Sequence, residues 1–246
     1  MPTVYDLNKI KVSTDEATFQ RGVDLYENNK VSDVEEAFDE FTAVVYGTKP
    51  YCVSVSARRY KDAHCTCYLG ERGTLCKHIV ALAIYAVMDG QPLKDEDKQP
   101  IDQVKCSDKR ETLSKDELTA LKKSFAEALR YIKPYHGPSR TWFANQDSLQ
   151  EGTNRLRMII SKLPVNRQSA DSLIKLLLRL EHKLSVGGVD DSNGIVGCLV
   201  GEIVALLEEF ARIDPSCIDT FKPFCKKEYC FGWEDPLVRL YDERVS

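Results

Sequence analysis

The stretch "CTCYLGERGTLCKH", residues 65 to 78, holds three cysteines and one histidine. Cys65 and Cys67 are two positions apart, so on a strand or hairpin arm their sulfurs emerge on the same side and can share one metal ion. Cys76 and His78 are again two apart, where the apolar run "IVALAIYAVM" opens; that run reads as a helix ended by Gly90 and Pro92. Between the two pairs, "YLGERGTL" carries Gly70 and Gly73, which let the chain turn back and bring the pairs together. Three thiolates and one imidazole complete a tetrahedral zinc shell. A shell closed by four protein ligands leaves no position for water, so the expected cofactor is one zinc ion, structural and not catalytic. A redox Cys-x-Cys pair or a buried free-thiol cluster stays open as an alternative, although neither calls for His78. His64 would face away from the metal on a strand. Cys52 is expected in the core of its strand.

Outward from this stretch the chain divides into an α+β front and an all-helical back. Residues 13 to 29 open with a Ser/Thr cap and place Phe19, Val23 and Tyr26 at helical spacing. "VSDVEEAF", "FTAVVYG" and "YCVSVSA" follow as short β-branched runs, expected to form an antiparallel meander. Residues 89 to 113 are polar, charged and marked by two prolines, which suits a linker. Ser114 and Glu117 form a capping-box signature ahead of a helix with Leu118, Leu121, Phe125 and Leu129 on one face. Helical patterns recur at 148 to 163, 169 to 185 and 195 to 213, and Asp214-Pro215 and Asp235-Pro236 each open a shorter segment. The expected fold class is therefore α+β: a small zinc-bound helix and antiparallel-strand module over 1–90, a linker over 91–113, and an all-α domain over 114–246.

Composition bounds what this architecture does. The 246 residues carry a net charge of -4, with 43% hydrophobic and 29% charged side chains, as in ordinary globular proteins. No apolar stretch near the N-terminus suits a signal peptide, and the longest apolar run is about half of the ~20 residues that cross a bilayer. With nine cysteines and no export signal, a reducing compartment is expected, cytoplasmic or nuclear, with thiols free or metal-bound. Cys198, Cys217, Cys225 and Cys230 are expected in the helical core. Charge is uneven: residues 101–180 are basic and both ends acidic. Within the acidic front, 49 to 78 carries Lys49, Arg58, Arg59, Lys61, Arg72 and Lys77 against Asp62 and Glu71. An anionic partner is expected to meet it there.

The ligand pattern resembles the SWIM-type zinc finger family, whose motif is Cys-x-Cys, a variable spacer, then Cys-x-His. "FQRGVDLY" is similar to that family's upstream helix, "VYGTKPYCVSV" to its strand pair and "CKHIVALAI" to its ligand-bearing helix. The resemblance covers about residues 14 to 90. Where the family usually has a Gly after its first helix, this chain has Asn28 and Asn29, and Asn tolerates the left-handed conformation. The resemblance implies nucleic-acid or protein binding without catalysis, as in modules of Swi/Snf-type ATPases and Mutator-type transposases; a motor would then be a separate chain. Arg58, Arg59, Lys61, Arg72 and Lys77 are the candidate phosphate contacts. The alternative is an enzyme with its site in the helical half, for which the loop "HGPSRTWFANQD", 136 to 147, is the candidate; its simpler role is an interhelical plug with Trp142 and Phe143 packed down.

Overall fold

A computed structural model describes residues 3–100, 103–226 and 232–245. The chain separates into two compact units, 1–102 and 103–246. Among the described residues the architecture is α+β, with one four-stranded antiparallel sheet and nine α-helices.

In the first unit, helices α1 (Leu7–Val12) and α2 (Glu16–Glu27) precede strands β1 (Val31–Ala37), β2 (Glu40–Tyr46) and β3 (Pro50–Ser56). The short β4 (Ala63–Cys65), helix α3 (Lys77–Met88) and a single turn, α4 (Asp95–Lys98), follow. The sheet runs in chain order, β1-β2-β3-β4. The expected Ser/Thr cap of α2 is replaced by Asp15, whose carboxylate accepts from Thr18 N–H at 2.9 Å, because the helix starts closer to its acidic residues. Asn29 takes φ 53° just beyond α2, the left-handed step that Asn permits. Phe41, Ala43, Val45, Val53 and Val55 alternate toward one buried face. That alternation sends Cys52 outward, so it is exposed and not a core residue as expected. Helix α3 packs on the inner face of the sheet and, on its other side, on α2 and α1. Covered on both sides, it buries every residue from His78 to Ile84.

The second unit holds α5 (Lys115–Ala128), α6 (Trp142–Ile160), α7 (Arg167–Ser185), α8 (Ile195–Ile213) and α9 (Asp235–Val245). Ser114 and Glu117 form the expected capping box. Helix α6 begins at Trp142, so half of the expected 136–147 loop is helical. Phe143 is exposed and not packed down, while Trp142 is half-buried and its indole N–H donates to Asp190 at 3.1 Å. Cys217 is buried in the helical core, whereas Cys198 and Cys225 are exposed: Cys198 falls on the outer face of α8, and Cys225 follows the last long helix of the core. Cys230 lies outside the described residues.

The segment expected as a linker is tied down at both ends. Leu93 is buried and its N–H donates to Glu27 at 3.3 Å, and Lys98 pairs with Glu27 at 2.8 Å, all within the first unit. Val104 N–H donates to Glu202 at 3.1 Å and Leu113 N–H to Gln168 at 2.9 Å, within the second. No helix among the described residues is long and apolar enough to cross a membrane.

Candidate metal centre

The metal donors come from the end of a strand and the start of a helix. Pairing of β3 with β4 sets Val53 opposite Cys65 and Ser54 opposite His64. Cys65 therefore points into the buried face with Val53, while His64 is exposed and stands outside the donor group. Past Cys67 the chain makes a single tight turn at Gly70–Arg72 and reverses at Gly73, whose φ of 71° is left-handed. Gly70 has a second reason to be glycine, since a Cβ there would lie 2.3 Å from the Cys65 carbonyl oxygen. The chain returns to Cys76, the cap residue of α3, and His78 lies in the first turn of that helix.

The donor atoms of Cys65, Cys67, Cys76 and His78 all lie within 4.8 Å of one another. His78 Nδ1 is 3.7 Å from Cys65 Sγ and 3.8 Å from Cys76 Sγ. A tetrahedron with Zn–S of ~2.3 Å and Zn–N of ~2.0 Å has S to N edges of ~3.5 Å, so the donors stand close to where one zinc ion would hold them. Burial is nearly complete, at 0%, 7%, 1% and 4% exposure in chain order. The four residues fit one zinc ion with its shell closed.

Backbone groups complete the surroundings of the sulfurs. Cys67 N–H donates to Cys65 Sγ and Gly70 N–H to Cys67 Sγ, each at 3.4 Å, and such bonds stabilise thiolate charge in a dry site. The thiols also influence one another in the absence of metal. Hydrogen bonding from Cys65, then the His78 imidazole, pushes the Cys76 thiol down to about 4 against the effect of burial. The same bond to Cys76, reinforced by burial, pushes Cys65 up. Zinc takes cysteine as thiolate, so metal binding here releases thiol protons.

His78 presents Nδ1 to the sulfurs, so Nε2 is its outer nitrogen. Nε2 is buried and has no hydrogen-bond partner among the described residues. Packing orients this ring where a hydrogen bond commonly would. The Tyr51 ring stacks on it with centroids 4.4 Å apart and planes at 31°. Gly47 approaches so closely that a Cβ would sit 2.5 Å from Nε2. Gly47 lies in the turn joining β2 to β3 and Tyr51 near the start of β3, where the sequence signals only a turn and a strand.

The five candidate phosphate contacts divide into two kinds. Arg58 pairs with Asp39 at 2.6 Å and Arg59 with Asp62 at 2.8 Å. Asp39 was invisible as a partner in the sequence, because pairing of β2 with β3 is what brings Glu40 opposite Ser56 and the hairpin tip beside Arg58. Lys61 is exposed. Arg72 lies over the Tyr68 ring, 3.9 Å from its centroid, and Lys77 is half-buried between two donors. Lys49, over the Tyr51 ring at 5.6 Å, belongs with them. Among the described residues Lys49, Arg72 and Lys77 have no carboxylate partner.

Neither a curated protein nor a solved structure matches the chain. Residues 51–86, which contain all four donors and most of α3, match the SWIM zinc finger family.

Proposed function

We propose that this chain is a non-catalytic interaction module, ordered by zinc, that binds an anionic partner and nucleic acid in particular. The observation that carries this reading is the set Lys49, Arg72 and Lys77, three cations placed around the metal centre with no carboxylate to neutralise them among the described residues. Cations without a protein counter-charge are the ones that release counterions from a phosphate backbone. Arg58 and Arg59 take a smaller part than the sequence suggests, since each already holds an aspartate. The closed shell supports a non-catalytic role, because a zinc with four protein ligands has no position for substrate. The helical unit then serves as a docking partner for a larger assembly inside the cell, in which any motor activity belongs to another chain.

Binding of the zinc-loaded chain to DNA and RNA, followed as salt is raised, tests this reading. An affinity whose logarithm falls linearly with the logarithm of salt concentration supports it. Affinity purification with and without nuclease separates the two partner classes: partners lost on treatment indicate nucleic acid, and partners retained indicate protein.

A further inference from the structure

The loop that carries Cys67 also carries an exposed aromatic surface. Tyr68 is 65% and Leu69 45% exposed, although they follow directly on a buried metal donor. Their loop is held from within. Glu71 N–H donates to the Cys67 carbonyl at 3.0 Å, and Arg72 and Thr74 N–H both donate to the Leu69 carbonyl at 3.1 Å. Gly70 is fixed against Cys65 by the close approach described above. The side chains at 68 and 69 are therefore presented to solvent by a stiff support, which lowers the ordering cost of anything that binds them.

Arg72 adds charge to this surface, with its guanidinium 3.9 Å from the Tyr68 centroid. Lys49 over Tyr51 repeats the pairing of cation and tyrosine beside the centre, since Tyr51 stacks on His78. Each tyrosine is tied to the same donor cluster, one as the neighbour of Cys67 and the other through the His78 ring.

The geometry points to single-stranded nucleic acid as the ligand of this surface, with a base stacked on Tyr68 and phosphates met by Arg72 and Lys49. This rests on the reading of the module as one that binds nucleic acid, and narrows it. A single strand offers both features the surface can use, a free π-face and a string of phosphates. A duplex keeps its bases stacked on one another, and an acidic peptide satisfies the cations but has no planar base for Tyr68.

Fluorescence anisotropy with labelled oligo(dT) and with a duplex of equal length, on the zinc-loaded full chain, tests the inference. Oligo(dT) is expected to bind more tightly than the duplex. Tyr68→Ala should weaken oligo(dT) binding about tenfold and leave the salt slope unchanged. Tyr68→Phe should bind as the parent does, while Tyr68→Leu, which keeps bulk without a π-face, should bind as weakly as the alanine variant. Lys49→Ala should lower the salt slope by ~0.7. Zinc content of one per chain in each variant shows that the centre is intact. If all three Tyr68 variants bind as the parent while Lys49→Ala weakens binding, the stacking inference is wrong and the broader reading stands. If the parent binds neither probe at low salt, both fall, and an acidic protein surface becomes the partner to seek.

Discussion

The His78 ring shows at the scale of one residue how much a metal site depends on groups that never touch the metal. Its Nε2 is buried without a partner, which costs about 1–3 kcal/mol unless other contacts compensate. Stacking on Tyr51 and the close approach of Gly47 fix the ring so that Nδ1 faces Cys65 and Cys76. Gly47→Ala places a methyl group 2.5 Å from Nε2 and 3.2 Å from the Tyr51 ring edge. The ring must then turn away, and an overpacking cost of about 1–3 kcal/mol corresponds to roughly five- to 150-fold weaker zinc binding. Competition with a chromophoric chelator measures it; unchanged affinity would mean that Gly47 serves the turn alone. The four donors were legible in the sequence because metal ligands come as two close pairs on either side of a turning spacer, a pattern contained within fourteen residues. Gly47 was not, because it lacks the left-handed φ that marks a turn glycine and its role is space beside a ring 31 positions away.

At the scale of elements, the seam between α2 and α3 makes a similar demand. A Cβ on Gly22 would lie 2.3 Å from Val80 Cγ1 and 2.6 Å from its Cβ. Val80 is wholly buried. Alanine in mid-helix is favoured over glycine by about 1 kcal/mol, but Val80 cannot yield at its Cβ, and overpacking of up to about 3 kcal/mol outweighs that gain. Gly22→Ala is therefore expected to destabilise the first unit, read as a lower midpoint in chemical denaturation; a higher midpoint would show that the helices separate freely. In the second unit, Ser114→Ala removes an oxygen that accepts from Glu117 N–H at 3.2 Å and should cost about 1 kcal/mol in the same measurement. That cap was legible because capping is local: S-x-x-E contains both partners. The starts of α2 and α6 were misread for a related reason. Several residues near each start can cap, and packing decides among them; Asn145 and Gln146 enter α6 early with their side chains buried.

For the whole molecule the question is which part of the chain depends on the metal. Cys65, Cys67 and Cys76 belong to the hydrophobic core of the first unit, beside Val53, Ile79 and Tyr60. The second unit has a separate core built on α5 to α8, from Leu121 and Phe125 through Leu156 and Leu177 to Phe210. The polar composition of 91–113 signalled a boundary, but composition could not show that Leu93 and Lys98 are held by the first unit and Val104 and Leu113 by the second. Those attachments are single hydrogen bonds and ion pairs between residues far apart in sequence. Structural zinc contributes folding energy directly, and stripping it leaves three sulfurs and an imidazole buried without the ion that joins them. Chelation, or Cys76→Ser, is therefore expected to unfold the first unit while the second keeps its helices. Hydrogen exchange should show protection lost across α2, α3 and the sheet and retained in α6, α7 and α8. Limited proteolysis of the zinc-free chain should yield a stable fragment beginning close to Gln103. Loss of protection in both units together on chelation would show instead that the chain folds as one cooperative body.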